Sequence, residues 1–222
     1  MTNVTMLRTS ARAAAIASAL ACLASALAVA PAASAAECSD IDVVFARGTN
    51  DAPALGNVGQ AFVDQLRPQV GGQTLTTYAV NYPADFDFLN AASGAIDATN
   101  HISATVAQCP STKIVLGGYS QGAAVVDMMA GIPPLGNKIG EIGSAPPLPA
   151  DLDASVAAVA VFGNPSAKFS ITITNSVFGG RAIDLCKDGD PICSDGRNPF
   201  AHSDYVTAGM PAVAANFVAG LV

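Results

Sequence analysis

A chain of 222 residues that is 51% hydrophobic and only 12% charged has ample apolar material for one core, and its formal charge of −7 argues against a nucleic-acid partner. No internal repeat and no charge run marks a second domain. The first 35 residues stand apart. Arg8 and Arg12 without any acid, an apolar run from Ala13 to Ala30, then Pro31 and the small-residue site Ala33-Ser34-Ala35 describe a secretory signal peptide cleaved after Ala35. Cys22 leaves with it. Residues 36–222 are then the mature domain, and losing two basic residues leaves 8 Lys+Arg against 17 Asp+Glu, a formal charge of −9. No segment of that mature chain reads as membrane-spanning, and a single domain of this size is expected to act as a monomer. Four cysteines remain, Cys38, Cys109, Cys186 and Cys193; an even number in an exported protein predicts two disulfides, with three possible pairings.

In chain order, strand and helix signals alternate, which predicts a parallel sheet covered by helices on both faces. Ile41 to Ala46 reads as a buried strand. A helix follows over about 56–67, stopped by Pro68. Leu75 to Asn81 is the second strand, and a long helical pattern covers about 86–108, with Leu89, Ile96, Ile102 and Val106 on roughly one face. The Ile114 strand comes next, then a helix through Ala130. Residues 131–149 are rich in proline and glycine and predict an irregular connection. Val156 to Phe162 and Arg181 to Leu185 are the last two strands, and a final helical pattern runs from Met210 to Val222.

Between the Ile114 strand and its helix lies Gly118-Tyr119-Ser120-Gln121-Gly122. G-x-S-x-G in a strand–turn–helix context is a nucleophile elbow: the glycines make room for a strained backbone, and the helix N-terminus aims its free N–H groups at the serine. Such a serine needs a base and an acid that orients the base. Of the two histidines, His101 reads as a solvated helix residue, whereas His202 follows the last strand, where the order serine, acid, histidine requires the base. The acid must lie between them. Asp184, Asp188, Asp190 and Asp195 all qualify by position; Asp190 is favoured over Asp188, because Pro191 fixes the backbone beside it and Cys186 and Cys193 bracket its loop. Phe86, Phe88, Leu89, Phe178, Ile192 and Phe200 are candidates for an apolar rim around an acyl chain. No C-x-x-C pair or histidine cluster offers a metal geometry, so neither a metal nor an organic cofactor is expected.

Together, Phe45-Ala46-Arg47-Gly48-Thr49, the Ser120 elbow, Gly189-Asp190-Pro191-Ile192-Cys193 and the His202 segment resemble the cutinase family, in particular its actinobacterial secreted members. The resemblance covers nearly all of the mature chain. It implies a compact α/β-hydrolase with a five-stranded parallel sheet flanked by helices and no large lid, acting as a secreted or envelope-associated serine esterase. It implies Ser120 as nucleophile, Asp190 as acid and His202 as base, with an oxyanion hole at Gln121 and Thr49, where the family more often has serine. It also implies the pairings Cys38–Cys109 and Cys186–Cys193. The expected substrates are cutin-type polyester or short- to medium-chain lipid esters, with phospholipid and acetylated polysaccharide as alternatives, including substrates presented at an interface. A non-enzymatic lipid-binding protein on a degenerate scaffold would be expected to lack a member of the serine–acid–histidine set, and this sequence lacks none.

Overall fold

The computed structural model describes residues 37–133 and 143–222. The expected signal peptide and residues 134–142 of the expected irregular connection lie outside the described residues.

The five strands are Ile41–Ala46 (β1), Leu75–Ala79 (β2), Lys113–Tyr119 (β3), Val156–Phe162 (β4) and Ala182–Leu185 (β5). They form one parallel sheet in the order β2-β1-β3-β4-β5. Every residue of β1 is buried, because both faces of the sheet are covered; this is why the strands read as unbroken apolar runs instead of alternating ones. Alternate side chains serve two cores. Val44, Leu116, Val159 and Val161 pack beneath helices α2 (Ala91–Gln108) and α3 (Gln121–Met129). Val43, Phe45, Val115 and Phe162 pack beneath α1 (Gly56–Leu66) and α4 (Met210–Ala219). Phe45, Phe62 and Phe162 meet there with ring centroids 6.1–6.4 Å apart. Deleting one such ring typically costs about 3 to 5 kcal/mol.

Cys38 pairs with Cys109 across a sequence separation of 71, and Cys186 with Cys193 across 7. Chain entropy values the long loop at about 4 kcal/mol and the short one at about 2.5 kcal/mol. The first ties the entry of β1 to the end of α2; the second closes the segment that carries Asp190.

His101 is not a solvated helix residue. Its Nε2 lies 2.7 Å from Asp42 Oδ2 on β1, and its ring stacks on Tyr78 at 3.6 Å between centroids. Both partners arrive from the sheet across the helix–sheet interface. Among the described residues no helix is long and apolar enough to cross a membrane.

Candidate active site

In this strand order the chain leaves β1 toward β2 on one side and leaves β3 toward β4 on the other. A crevice opens where parallel strands diverge in this way, at their carboxyl ends. Thr49 follows β1 and Ser120 follows β3, so both stand at that crevice.

Ser120 has φ 57° and ψ −116°, a backbone that an L-residue adopts only under constraint. The constraint is visible on both sides. A Cβ on Gly118 would lie 2.2 Å from the carbonyl oxygen of Gly122, and one on Gly122 would lie 1.9 Å from that of Ala46. The elbow therefore closes only with glycine at both places. Its N–H donates to the Phe162 carbonyl at 2.9 Å, fixing the turn to β4.

The Ser120 Oγ lies 2.8 Å from His202 Nε2, and His202 Nδ1 lies 2.8 Å from Asp190 Oδ2. His202 sits on a one-turn helix, Pro199–Ser203, opened by the Asn198 side chain, which accepts from the Phe200 N–H. Its ring lies against Tyr119, 5.1 Å between centroids, and against Gly163, where a Cβ would come within 3.0 Å of the ring. The Tyr119 hydroxyl donates to the His202 carbonyl.

Asp190 is fully buried. Its Oδ1 accepts from the Ile192 N–H at 2.8 Å, while Oδ2 accepts from the Tyr205 hydroxyl at 2.7 Å besides facing His202. Burial pushes this carboxyl up, but the hydrogen bonds from His202, Tyr205 and Ile192 outweigh it and hold it below the ordinary carboxylate range. An ionised Asp190 only accepts, so Nδ1 carries the proton and the Nε2 lone pair faces the Ser120 hydroxyl. Of the four acids that position allowed, the structure brings only Asp190 to His202. Asp188 and Asp195 are exposed, and Asp184 turns to Asn164 and the Ile173 N–H.

Thr49 donates its hydroxyl proton to the side-chain oxygen of the buried Gln121 at 3.1 Å, and both residues line one pocket with Ser120. That pocket, about 510 Å³, has apolar walls from Phe86, Phe88, Pro165, Pro191 and Ile192. Phe178 does not belong to the rim: it is a core residue with no exposure, packed under Arg181. Leu89 and Phe200 are exposed but stand outside the pocket wall.

The sequence alone gave no role to Tyr119, Gly163 or Tyr205. The only hint was placement, one residue before the elbow serine and three after the histidine.

Behind the site lies a buried acidic cluster. The two Asn164 amide hydrogens reach one carboxylate each, Asp127 on α3 at 3.1 Å and Asp184 on β5 at 3.0 Å, and Ser166 donates its hydroxyl to Asp127. Burial pushes Asp127 up to about 7, with Asp184 adding to the rise, and pushes Asp184 up to about 6. Carboxyls held above the unfolded value of about 3.9 contribute stability that is complete below that value and is lost as pH rises through their folded values. Thermal unfolding should therefore show a melting temperature to which these two groups contribute a fall from about pH 4 to about pH 7. Asp184→Asn removes one charge with the shape kept, so it should flatten that fall and melt higher than the parent at the alkaline end. A parent that grows more stable over the same range would contradict the assignment.

The cutinase family model matches residues 37–222. The chain is 50% identical over 195 residues to phospholipase Culp4 of Mycobacterium tuberculosis, covering 87% of this chain and 83% of that protein. It is 48% identical over 197 residues to carboxylesterase Culp1 of Mycobacterium bovis, covering 85% and 84%. Among solved structures, Trichoderma reesei cutinase in complex with a C11Y4 phosphonate inhibitor superposes with a TM-score of 0.65 at 33% identity, covering 83% of this chain and 77% of that one. With the five-stranded parallel sheet, the elbow and a family match that spans the whole described domain, the chain belongs to the cutinase family.

Proposed function

We propose that Ser120, His202 and Asp190 carry carboxylic-ester hydrolysis by this chain, with Ser120 as nucleophile, His202 as base and then acid, and Asp190 as the group that orients the imidazole. The observation that supports it is the unbroken line of 2.8 Å contacts from Ser120 to His202 to Asp190 at the wall of an apolar pocket. Ser120 Oγ adds to the ester carbonyl while its proton passes to Nε2. The tetrahedral adduct collapses, the leaving alcohol takes that proton, and an acyl-enzyme remains on Ser120. Water, deprotonated by the same nitrogen, then releases the acid. The backbone N–H of Gln121 and the Thr49 group are the donors proposed for the oxyanion, each typically worth about 3 to 4 kcal/mol of barrier. The Thr49 proton is occupied by Gln121, whose own buried Nε2 has no partner among the described residues. Turning that amide over gives Nε2 the Thr49 oxygen to donate to and frees the hydroxyl proton for the oxyanion.

Tyr205 is a positioning residue in this scheme, because its hydroxyl holds the same carboxylate oxygen that His202 uses. Tyr205→Phe keeps the ring and removes the bond. It should lower kcat by about tenfold with KM nearly unchanged and should move the pH dependence of kcat, which a purely structural loss would not.

The substrate side follows from the pocket. Its apolar walls suit an acyl chain, so short- to medium-chain lipid esters and cutin-type polyester are the proposed substrates, with phospholipid esters included because the related Culp4 is named a phospholipase. The two disulfides suit an oxidising compartment, and the leader-like first 35 residues support export to the cell envelope or beyond; a single domain of this size supports a monomer. A panel of p-nitrophenyl esters of rising chain length, run beside triglyceride, phospholipid, cutin and acetylated xylan, tests the reading. Turnover of the acyl esters supports it, and no turnover of any ester in the panel would overturn it.

A further inference from the structure

Lys168 is the one side chain with a full charge at neutral pH among the described residues lining the active-site pocket. It stands on the one-turn helix Pro165–Phe169 after β4 and is half-buried. Its Nζ donates to the Pro191 carbonyl at 2.8 Å, which uses one of its three N–H bonds. The ion pairs among the described residues are His101–Asp42, Lys187–Asp204 and His202–Asp190, and Lys168 belongs to none of them. Arg47, Arg67, Lys113, Arg181 and Arg197 belong to none of them either, and Lys168 differs from these in lining the pocket with Ser120. Withdrawing an ammonium from water without a counter-ion is costly, and folded proteins ordinarily place a carboxylate beside it. A tie to the Pro191 carbonyl needs only a neutral donor, so that bond does not account for the charge.

The topology gives this charge a direction. Phe86 and Phe88 follow β2, on one flank of the β1–β3 crevice, whereas Lys168 follows β4, on the other. An ester that lays its hydrocarbon chain against the phenylalanines has its opposite end toward the lysine.

Resting on the esterase reading, we propose that Lys168 recognises an anionic group on the substrate, so that preferred substrates are carboxylic esters bearing a phosphate or a second carboxylate within a few bonds of the scissile carbonyl. The missing counter-ion is then supplied by the ligand.

The test compares kcat/KM for matched anionic and neutral esters. Mono-p-nitrophenyl glutarate against p-nitrophenyl butyrate places the charge on the acyl side; dibutyryl phosphatidic acid against tributyrin places it on the alcohol side. The ratio cancels any general damage to the Asp190 loop, because such damage lowers both members together. A charged hydrogen bond at a half-exposed site corresponds to about tenfold in this ratio. Lys168→Gln should lower the ratio about tenfold in at least one pair, Lys168→Glu further, and Lys168→Arg little; the pair that responds identifies which end of the substrate carries the anion. In the parent protein, KM for the responding anionic ester should rise between about 0.05 and about 0.5 M NaCl more than KM for its neutral partner. Ratios that stay within about twofold in Lys168→Gln, or a parent without that difference in salt response, would overturn the proposal even while neutral esters are turned over. A parent that turns over no ester would overturn the esterase reading as well.

Discussion

Replacing Ser120 by alanine is expected to lower kcat on a soluble ester by at least about 10⁴-fold, and adding His202→Ala to that variant should lower it hardly further. The reason is geometric. His202 Nε2 lies 2.8 Å from Ser120 Oγ, and in the proposed scheme it has nothing to deprotonate once the hydroxyl is gone. Groups that act as a unit lose their effect together, whereas two residues with independent roles would show losses that multiply. Both alanine variants should fold, since neither site fills a core: His202 keeps a fifth of its side chain exposed, and the elbow turn is held by glycines and by a backbone bond to Phe162. Steady-state kinetics of the two single variants and the double variant check this, and multiplying losses would contradict it.

Asp190→Asn should lower kcat by at least about a hundredfold, with Asp188→Asn staying within about tenfold of the parent. Asp190 is fully buried, and its Oδ2 faces His202 Nδ1 at 2.8 Å. An asparagine that turns its NH₂ toward Nδ1 drives the proton to the other ring nitrogen, where it opposes attack; one that turns its oxygen there preserves the tautomer but removes the charge that stabilises the imidazolium. Asp188 is exposed on the same disulfide-closed loop and touches neither partner, so its substitution changes only the loop's charge. The change should fall on kcat more than on KM, because the acyl pocket is formed by other residues. The reverse ranking of the two variants would place the acid at Asp188.

The strands were legible because a parallel sheet covered on both faces demands continuous apolar runs, and Ile41–Ala46 and Val156–Phe162 stand where those runs stand. Boundaries moved wherever a distant or polar side chain intervened. The second strand stops at Ala79, before the expected Asn81, because the Asn81 N–H is taken by Asp97 from α2. The long helix begins at Ala91 and not near Phe86, since the Asp85 carboxylate accepts from the Asp87 N–H and the Asn90 amide and so holds the preceding segment as a turn. Side-chain partnerships across the fold were not legible at all. Nothing near His101 in the chain points to Asp42, which lies 59 residues away, and an aromatic in a loop such as Phe178 looks alike from sequence whether it faces solvent or core. Ser120, His202 and Asp190, which the structure brings into hydrogen-bond contact, could be singled out since each sits beside a local feature, the elbow glycines, the strand end or the bracketed loop. Tyr205 has no such marker, and its link to Asp190 exists only once the one-turn helix brings the two together.

The most direct test of the central claim is covalent trapping. Treating the parent protein with a fluorophosphonate and mapping the adduct by peptide mass spectrometry should find one label per chain, on the peptide that contains Ser120, with loss of ester hydrolysis in proportion to labelling. The reagent mimics the tetrahedral adduct, so it reacts with a serine that has a base beside it and oxyanion donors around it. Labelling should vanish in Ser120→Ala. A label on another residue, or one that persists in the alanine variant, would contradict the account.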